Sequence, residues 1–164
     1  MIRYRRIPTP LGPLFATAVG EKLTGLYYEG GRHAPQISPG WIEDPHHRAL
    51  AECARQLAEY FTDGRRRFEL PMAPAGTPFQ KRVWDEIARI PYGETISYAE
   101  LARRAGAPGS ARAAGAATGR NPLSIVVPCH RVVASGGALT GYAGGLARKS
   151  RLLEIEGAPQ AEAA

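Results

Sequence analysis

Cysteine is scarce in this chain: two residues, Cys53 and Cys129, in 164. Two cysteines do not make a disulfide framework, so the fold cannot lean on covalent staples, and a reducing, cytoplasmic setting fits. No apolar run is long enough to span a membrane. The opening Met1-Ile2-Arg3-Tyr4-Arg5-Arg6 is basic but has no apolar segment behind it, which argues against a signal peptide. No internal repeat is visible. Acid is missing from one long stretch. From Leu101 to Leu153 there is no Asp or Glu, whereas Arg103, Arg104, Arg112, Arg120, Arg131, Arg148, Lys149 and Arg151 all fall within it. The net charge is +6, and a carboxylate-free stretch of this kind is a candidate footprint for a polyanion.

What is present divides into two parts. Ile2–Ile7, Leu14–Val19 and Leu23–Tyr28 read as short strands separated by Pro and Gly turns. Residues 29–45 are rich in Gly, Pro and His and read as a loop. Leu50, Cys53, Ala54, Leu57, Tyr60 and Phe61 recur at helical spacing and predict a helix from about Pro45 to Thr62, with Cys53 on its buried stripe. Phe68–Leu70 reads as a last strand. Pro71-Met72-Ala73-Pro74-Ala75-Gly76 has linker composition, so the domains are 1–76 and 77–164.

The second part is punctuated by helix signals. Thr77-Pro78-Phe79-Gln80 is a capping box with Pro at the first helical position. Ser97-Tyr98-Ala99-Glu100 is another. Ser110 is placed to cap a third helix, Ala111 to about Thr118, after a Pro108-Gly109 turn. The last two form a helix-turn-helix candidate. The third helix is almost all Ala and Gly, with Arg112 its one long side chain. Small residues suit either close packing or entry into a narrow groove, the minor groove of DNA being about 6 Å wide, where a long basic side chain can push into the base stack. A hairpin is expected around Gly136-Gly137 and a final helix over about Leu146–Glu156.

The chemistry concentrates in Ile125-Val126-Val127-Pro128-Cys129-His130-Arg131-Val132-Val133. The apolar runs read as buried strands, with Pro128 breaking the ladder just before the cysteine. A thiol becomes a strong nucleophile as thiolate, and a basic neighbour, His130 or Arg131, lowers the cost of ionisation.

The run Asn121-Pro122-Leu123-Ser124 through Val133 resembles the active-site signature of the methylated-DNA–protein-cysteine methyltransferases, the O6-alkylguanine-DNA alkyltransferases. The likeness extends to Pro91-Tyr92-Gly93-Glu94-Thr95-Ile96-Ser97-Tyr98, to Thr140-Gly141-Tyr142-Ala143-Gly144-Gly145 and to Lys149…Leu152-Leu153…Glu156-Gly157. It implies an α/β fold class: an N-terminal ribonuclease-H-like α/β domain and a C-terminal, mostly helical domain with a winged helix-turn-helix-like element. It implies direct-reversal repair, in which an alkyl group moves irreversibly from O6 of guanine in duplex DNA to the protein's own Cys129, after the damaged nucleotide is flipped out. By motif position, Cys129 resembles the acceptor, and His130 and Glu156 its activating partners, with a water expected between thiol and imidazole. Asn121 resembles the residue that orders the turn, and Tyr98 the donor beside the flipped base. Arg112 resembles the finger that fills the gap, on a helix whose Ala113 and Gly115 meet DNA. Val132, Tyr142 and Ala143 resemble the lining of the base pocket.

The same resemblance implies double-stranded DNA as partner through the minor groove and no membrane or obligate protein partner, and it allows cooperative assembly on DNA. The route requires no metal or cofactor. Some relatives hold a structural zinc in the first domain, but here only Cys53, His33, His46 and His47 are on offer, so no metal site is expected. Lys149-Ser150-Arg151 is more basic than the pattern and suggests a phosphate contact or looser packing.

Overall fold

The structure is a computed structural model that describes residues 1–159. It separates into two compact units. One comprises residues 1–75 together with 122–124, and the other residues 76–121 and 125 onward.

The first unit is built on a four-stranded sheet. Strands β1 (Ile2–Ile7), β2 (Leu14–Val19) and β3 (Lys22–Tyr28) form an antiparallel meander, and β4 (Ile42–Glu43) pairs in parallel with β1, giving the order β3-β2-β1-β4. The stretch 29–45 is therefore not all loop: Ile42 and Glu43 close the sheet's far side against Arg3 and Tyr4. Leu14 to Ala18 of β2 are all buried, as expected of a strand covered on both faces. Helix α1 (Arg48–Asp63) buries Leu50, Cys53, Leu57 and Tyr60. Its N-terminus is capped by His47, whose Nδ1 accepts from Leu50 N–H while Nε2 bonds the Gly20 carbonyl at 2.7 Å. Gly64, at φ 69°, ends it in the left-handed region that glycine adopts without strain.

Residues 68–70 form no strand. The buried Gln56 amide takes the partners a strand would have needed, accepting Glu69 N–H at 2.9 Å and donating to Glu69 O at 3.0 Å. The open edge of β3 is covered by two short segments: Leu23 bridges to Met72, and Leu26 bonds Pro122 O and Ser124 N at 2.7 and 3.0 Å. An edge so covered cannot recruit a foreign strand.

The second unit begins with α2 (Pro78–Ala88), opened by the Thr77/Gln80 capping box with both reciprocal bonds formed. Val83, Trp84 and Ile87 are its buried face, and Trp84 Nε1 donates to Ala117 O at 2.8 Å, tying α2 to α4 (Ala111–Gly119). Helix α3 (Tyr98–Arg104) is capped by Ser97, whose hydroxyl accepts Glu100 N–H. Gly106 and Gly109, at φ 81° and 82°, turn the chain from α3 into α4, so the helix-turn-helix pair is present. Ser110 does not cap α4 with its side chain. Its backbone, at φ −103° and ψ 44°, lies outside the extended region that aims a cap oxygen at the helix. Strand β5 (Ile96–Ser97) pairs in parallel with β6 (Val132–Val133), and α5 (Leu146–Glu156) ends at Gly157, φ 67°.

Ile125–Val127 is a buried turn, not the expected strand. Ile125 sits at φ 71°, a conformation that closes off the extended path and that a β-branched residue rarely adopts. Around Gly136-Gly137 a tight turn does form, with Ala134 N–H bonded to Ala138 O at 2.9 Å, but without a strand ladder.

Candidate active site

The chain leaves α4 at Asn121, makes the strained turn and then tightens. Pro128, at φ −80° and ψ 64°, has inverse γ-turn geometry, closed by Cys129 N–H donating to Val127 O at 2.8 Å. Asn121 Nδ2 donates to the same oxygen at 2.8 Å. A side chain at the end of α4 thus pins the turn that presents the cysteine, and it also hydrogen-bonds the thiol. Cys129, His130 and Arg131 follow as one turn of 3₁₀-helix that runs into β6, all three buried.

His130 Nε2 lies 2.8 Å from Glu156 Oε2, and both side chains are wholly buried. A carboxylate accepts, so Nε2 carries the proton and Nδ1 is left as the lone pair. Among the described residues no side chain or backbone group bonds Nδ1. Burial holds the imidazole below its usual pKa, and the positive charges of Arg131 and Lys149 push the same way, against the pull of Glu156. The ring is therefore neutral near pH 7. Burial alone would raise the Glu156 carboxyl, but hydrogen bonds from His130 and Arg131 outweigh it and keep the group ionised, well below the usual range.

Cys129 departs from expectation. Only 5% of the residue is exposed, and burial pushes its thiol up rather than down, against the opposing bond from Asn121 and the charge of Lys149. The resting sulfur is a thiol, so ionisation belongs to the reaction step. Arg131 does not help Cys129 directly. Its Nε and Nη2 fork onto Glu156 at 2.8 and 3.0 Å, and Nη1 donates to Ile90 O at 2.6 Å.

Lys149 lies inside the unit despite its charge. It is fully buried on α5, with Nζ donating to Thr140 O at 2.7 Å and standing over the Tyr98 ring at 5.8 Å. Burial brings its pKa down to about 8. It is not a phosphate contact. Arg151 is exposed and pairs with Glu154. The clue to Lys149 lay in spacing: Lys149, Leu152, Leu153 and Glu156 fall at i, i+3, i+4 and i+7, on one helical face.

Tyr98 is partly buried, which raises its phenol, and its oxygen accepts from Thr140 Oγ1 at 3.3 Å, leaving its own O–H free to donate. The Tyr142 and His130 rings stand nearly perpendicular, their centres 6.5 Å apart, and Ala143 lies half-buried next to Tyr142. Val132 is completely buried in β6, so its side chain offers no free surface. Arg112 and Ala113 are exposed on α4, and Gly115 leaves room for the Tyr98 ring, which a Cβ there would touch at 3.6 Å. The structure thus links Asn121 to Cys129 and His130 to Glu156, with Cys129 and His130 consecutive in one 3₁₀ turn, sets Tyr98 and Tyr142 near them, and leaves Arg112 and Ala113 exposed to solvent. Among the described residues no three His, Cys, Asp or Glu side chains come together to hold a metal, and Cys53, whose thiol burial pushes up to about 12, is core.

An α/β unit followed by a helix-turn-helix unit that carries a buried Cys-His-Glu set defines a class, proteins that couple nucleic-acid docking to a reactive thiol. Comparison with known proteins narrows it. Residues 2–74 match the ribonuclease-like domain of 6-O-methylguanine DNA methyltransferase, and residues 78–158 match its DNA binding domain. The chain is 46% identical over 156 residues to a methylated-DNA–protein-cysteine methyltransferase of Mycobacterium leprae, covering 95% of this chain and 93% of that protein. It is 41% identical to that of Methanosarcina acetivorans, covering 94% and 97%. The crystal structure of Mycobacterium tuberculosis OGT in complex with DNA superposes with a TM-score of 0.87 at 45% identity, over 96% of this chain and 95% of that one. The chain belongs to the O6-methylguanine DNA methyltransferase family.

Proposed function

We propose that this protein repairs DNA by direct reversal, taking an alkyl group from O6 of guanine in duplex DNA onto Cys129, once per chain. The observation that carries the reading is His130: a neutral ring, Nε2 committed to Glu156 and Nδ1 unpartnered, next to the one cysteine of the helix-turn-helix unit.

The exposed face of α4 enters the minor groove, where Ala113 and Gly115 keep it slim and Arg112 fills the place of the flipped nucleotide. Unstacking costs a few kcal/mol, which the inserted guanidinium partly offsets. The base comes to rest beside Tyr98, Tyr142 and Ala143. The thiol proton passes to His130 Nδ1, directly or through one water, as a sulfur lone pair attacks the alkyl carbon. The C–O6 bond breaks and its electron pair stays on the base. Tyr98, a phenol that stays protonated at neutral pH, donates to the charge that develops there, and the proton lost by the thiol ends on guanine. Glu156 holds the imidazolium that forms in between. The product is a thioether, with no disulfide for thiol exchange to open, so the acceptor is spent. A free thiol acceptor suits a reducing cytoplasm.

The test is a duplex oligonucleotide bearing O6-methylguanine with a labelled methyl group. One label per chain, mapped to Cys129, is expected, with none on Cys129→Ser at unchanged DNA binding. Absence of label on Cys129, or many turnovers per chain, overturns the reading. A binder without chemistry would lose nothing in Cys129→Ser.

A further inference from the structure

Arg131 is buried, charged and two residues from the acceptor in sequence, and the chemistry above does not use it. Its guanidinium is almost fully committed: two arms on the two oxygens of Glu156, a third on Ile90 O, and its Cζ 5.7 Å from the Tyr92 ring centre. Glu156 in turn has no freedom left. Oε1 accepts Arg131 Nε and Gly93 N–H, and Oε2 accepts Arg131 Nη2 and His130 Nε2. A bidentate fork fixes a carboxylate's rotation about its last bond as a single ammonium cannot.

We propose that Arg131 is a positioning residue for alkyl transfer: by forking both oxygens of Glu156 it holds that carboxylate in one orientation, and so keeps the His130 proton on Nε2. This rests on the alkyl-transfer reading for its consequence, but not for its geometry. Two effects combine. Orientation comes first. With Oε2 held 2.8 Å from Nε2, the tautomer with the proton on Nδ1 would set two lone pairs against each other, so the base side of the ring always faces away from Glu156. Charge comes second. An isolated buried carboxylate beside an imidazole favours imidazolium, which cannot accept the thiol proton. Arg131 offsets that charge. The groups facing His130 are Glu156 and Lys149 from α5, Arg131 and Cys129 from its own turn, and the Tyr142 ring. Glu156 is the one anion that any of these contacts brings to the ring, and Arg131 is the cation forked on it.

The experiment compares wild type, Arg131→Met and Arg131→Lys in the full chain. Nitrogen-15 NMR of His130 reads tautomer and charge directly in the free protein. Single-turnover transfer from duplex O6-methylguanine is followed from pH 5 to 9, and DNA affinity is measured alongside. In Arg131→Met the Nε2-protonated neutral signature gives way to imidazolium or a tautomer mixture. The acid limb of the rate profile moves up by about one pH unit, and the rate at neutral pH falls on the order of 10- to 100-fold, as for other orienting partners of a reactive group, at unchanged DNA affinity. Arg131→Lys restores the charge but not the fork, so its profile returns toward wild type while the rate stays several-fold low. A wild-type signature and profile in Arg131→Met overturn the proposal. Should Arg131→Met fail to fold, Arg131→Lys carries the test, and wild-type rate and tautomer there overturn it equally. A wild type that accepts no label sinks the alkyl-transfer reading, and the NMR comparison still decides the role of Arg131.

Discussion

Lys149 Nζ donates to the carbonyl oxygen of Thr140 at 2.7 Å, from a side chain with no exposed surface. Its charge is felt at Cys129 and its ammonium stands over the Tyr98 ring, so one buried cation touches three parts of the site. Two consequences can be measured. With a folded pKa of about 8 against 10.5 when exposed, the unfolded chain binds more protons between those values, so this residue adds stability as pH rises from 8 to 10.5 and subtracts it below 8. Lys149→Met should therefore be the more stable protein below pH 8, by about 2–3 kcal/mol in urea unfolding, with the gap closing toward pH 10.5. The same variant should alkylate more slowly with iodoacetamide at Cys129, because the thiolate loses the favourable charge of Lys149.

Glu156→Gln removes the anion from a pair whose side chains are 0% and 6% exposed. A buried guanidinium left without its carboxylate costs about 3–5 kcal/mol, measurable by chemical denaturation at pH 7. In wild type the Glu156 carboxyl is held below its exposed value of 4.5, so its contribution is complete above that pH and erodes as pH falls further. The stability difference between wild type and Glu156→Gln should shrink on acidification below pH 4.5.

Arg112 makes its contribution outside the folded core. Exposed on α4, it should tolerate Arg112→Ala within about 0.5 kcal/mol of stability. Repair in duplex DNA should drop more than repair in single strands, since only a stack leaves a gap to fill. Equal losses in single-turnover assays on the two substrates would remove the finger role.

Gly25 lies on β3 beneath the ring of Tyr27, and a Cβ there would collide with it. Gly25→Ala should displace the ring and cost about 1–3 kcal/mol in thermal or urea unfolding, without changing transfer rate per folded molecule.

The legible parts of the chain were those governed by local rules. The Thr77 capping box, the Ser97 cap and the glycines between α3 and α4 act within a few residues, so their signatures carried over. The Cys129–His130–Glu156 grouping was legible only through the family motif, because His130 and Glu156 lie 26 positions apart. Ile125–Val127 misled because an apolar β-branched run normally means extended chain, and the positive φ at Ile125 is imposed by its surroundings rather than by its own preference. Sequence proximity offers Arg131, alongside His130, as a basic neighbour of Cys129. In a 3₁₀ turn, with three residues per turn, neighbours two apart point in different directions, so adjacency to the thiol became contact with Glu156. Lys149 was masked by its charge, which signals surface unless the helix period is followed through it.

Leu26 of β3 finds its last partners in Pro122 and Ser124, which the chain supplies only after α4. During synthesis, then, the amino-terminal half waits. Its sheet stays open along that margin for the few seconds a ribosome takes to reach residue 124 at roughly 5–20 residues per second. A gene cut after residue 75 would yield a fragment that never receives those partners, leaving Leu26 bare on the margin of its sheet.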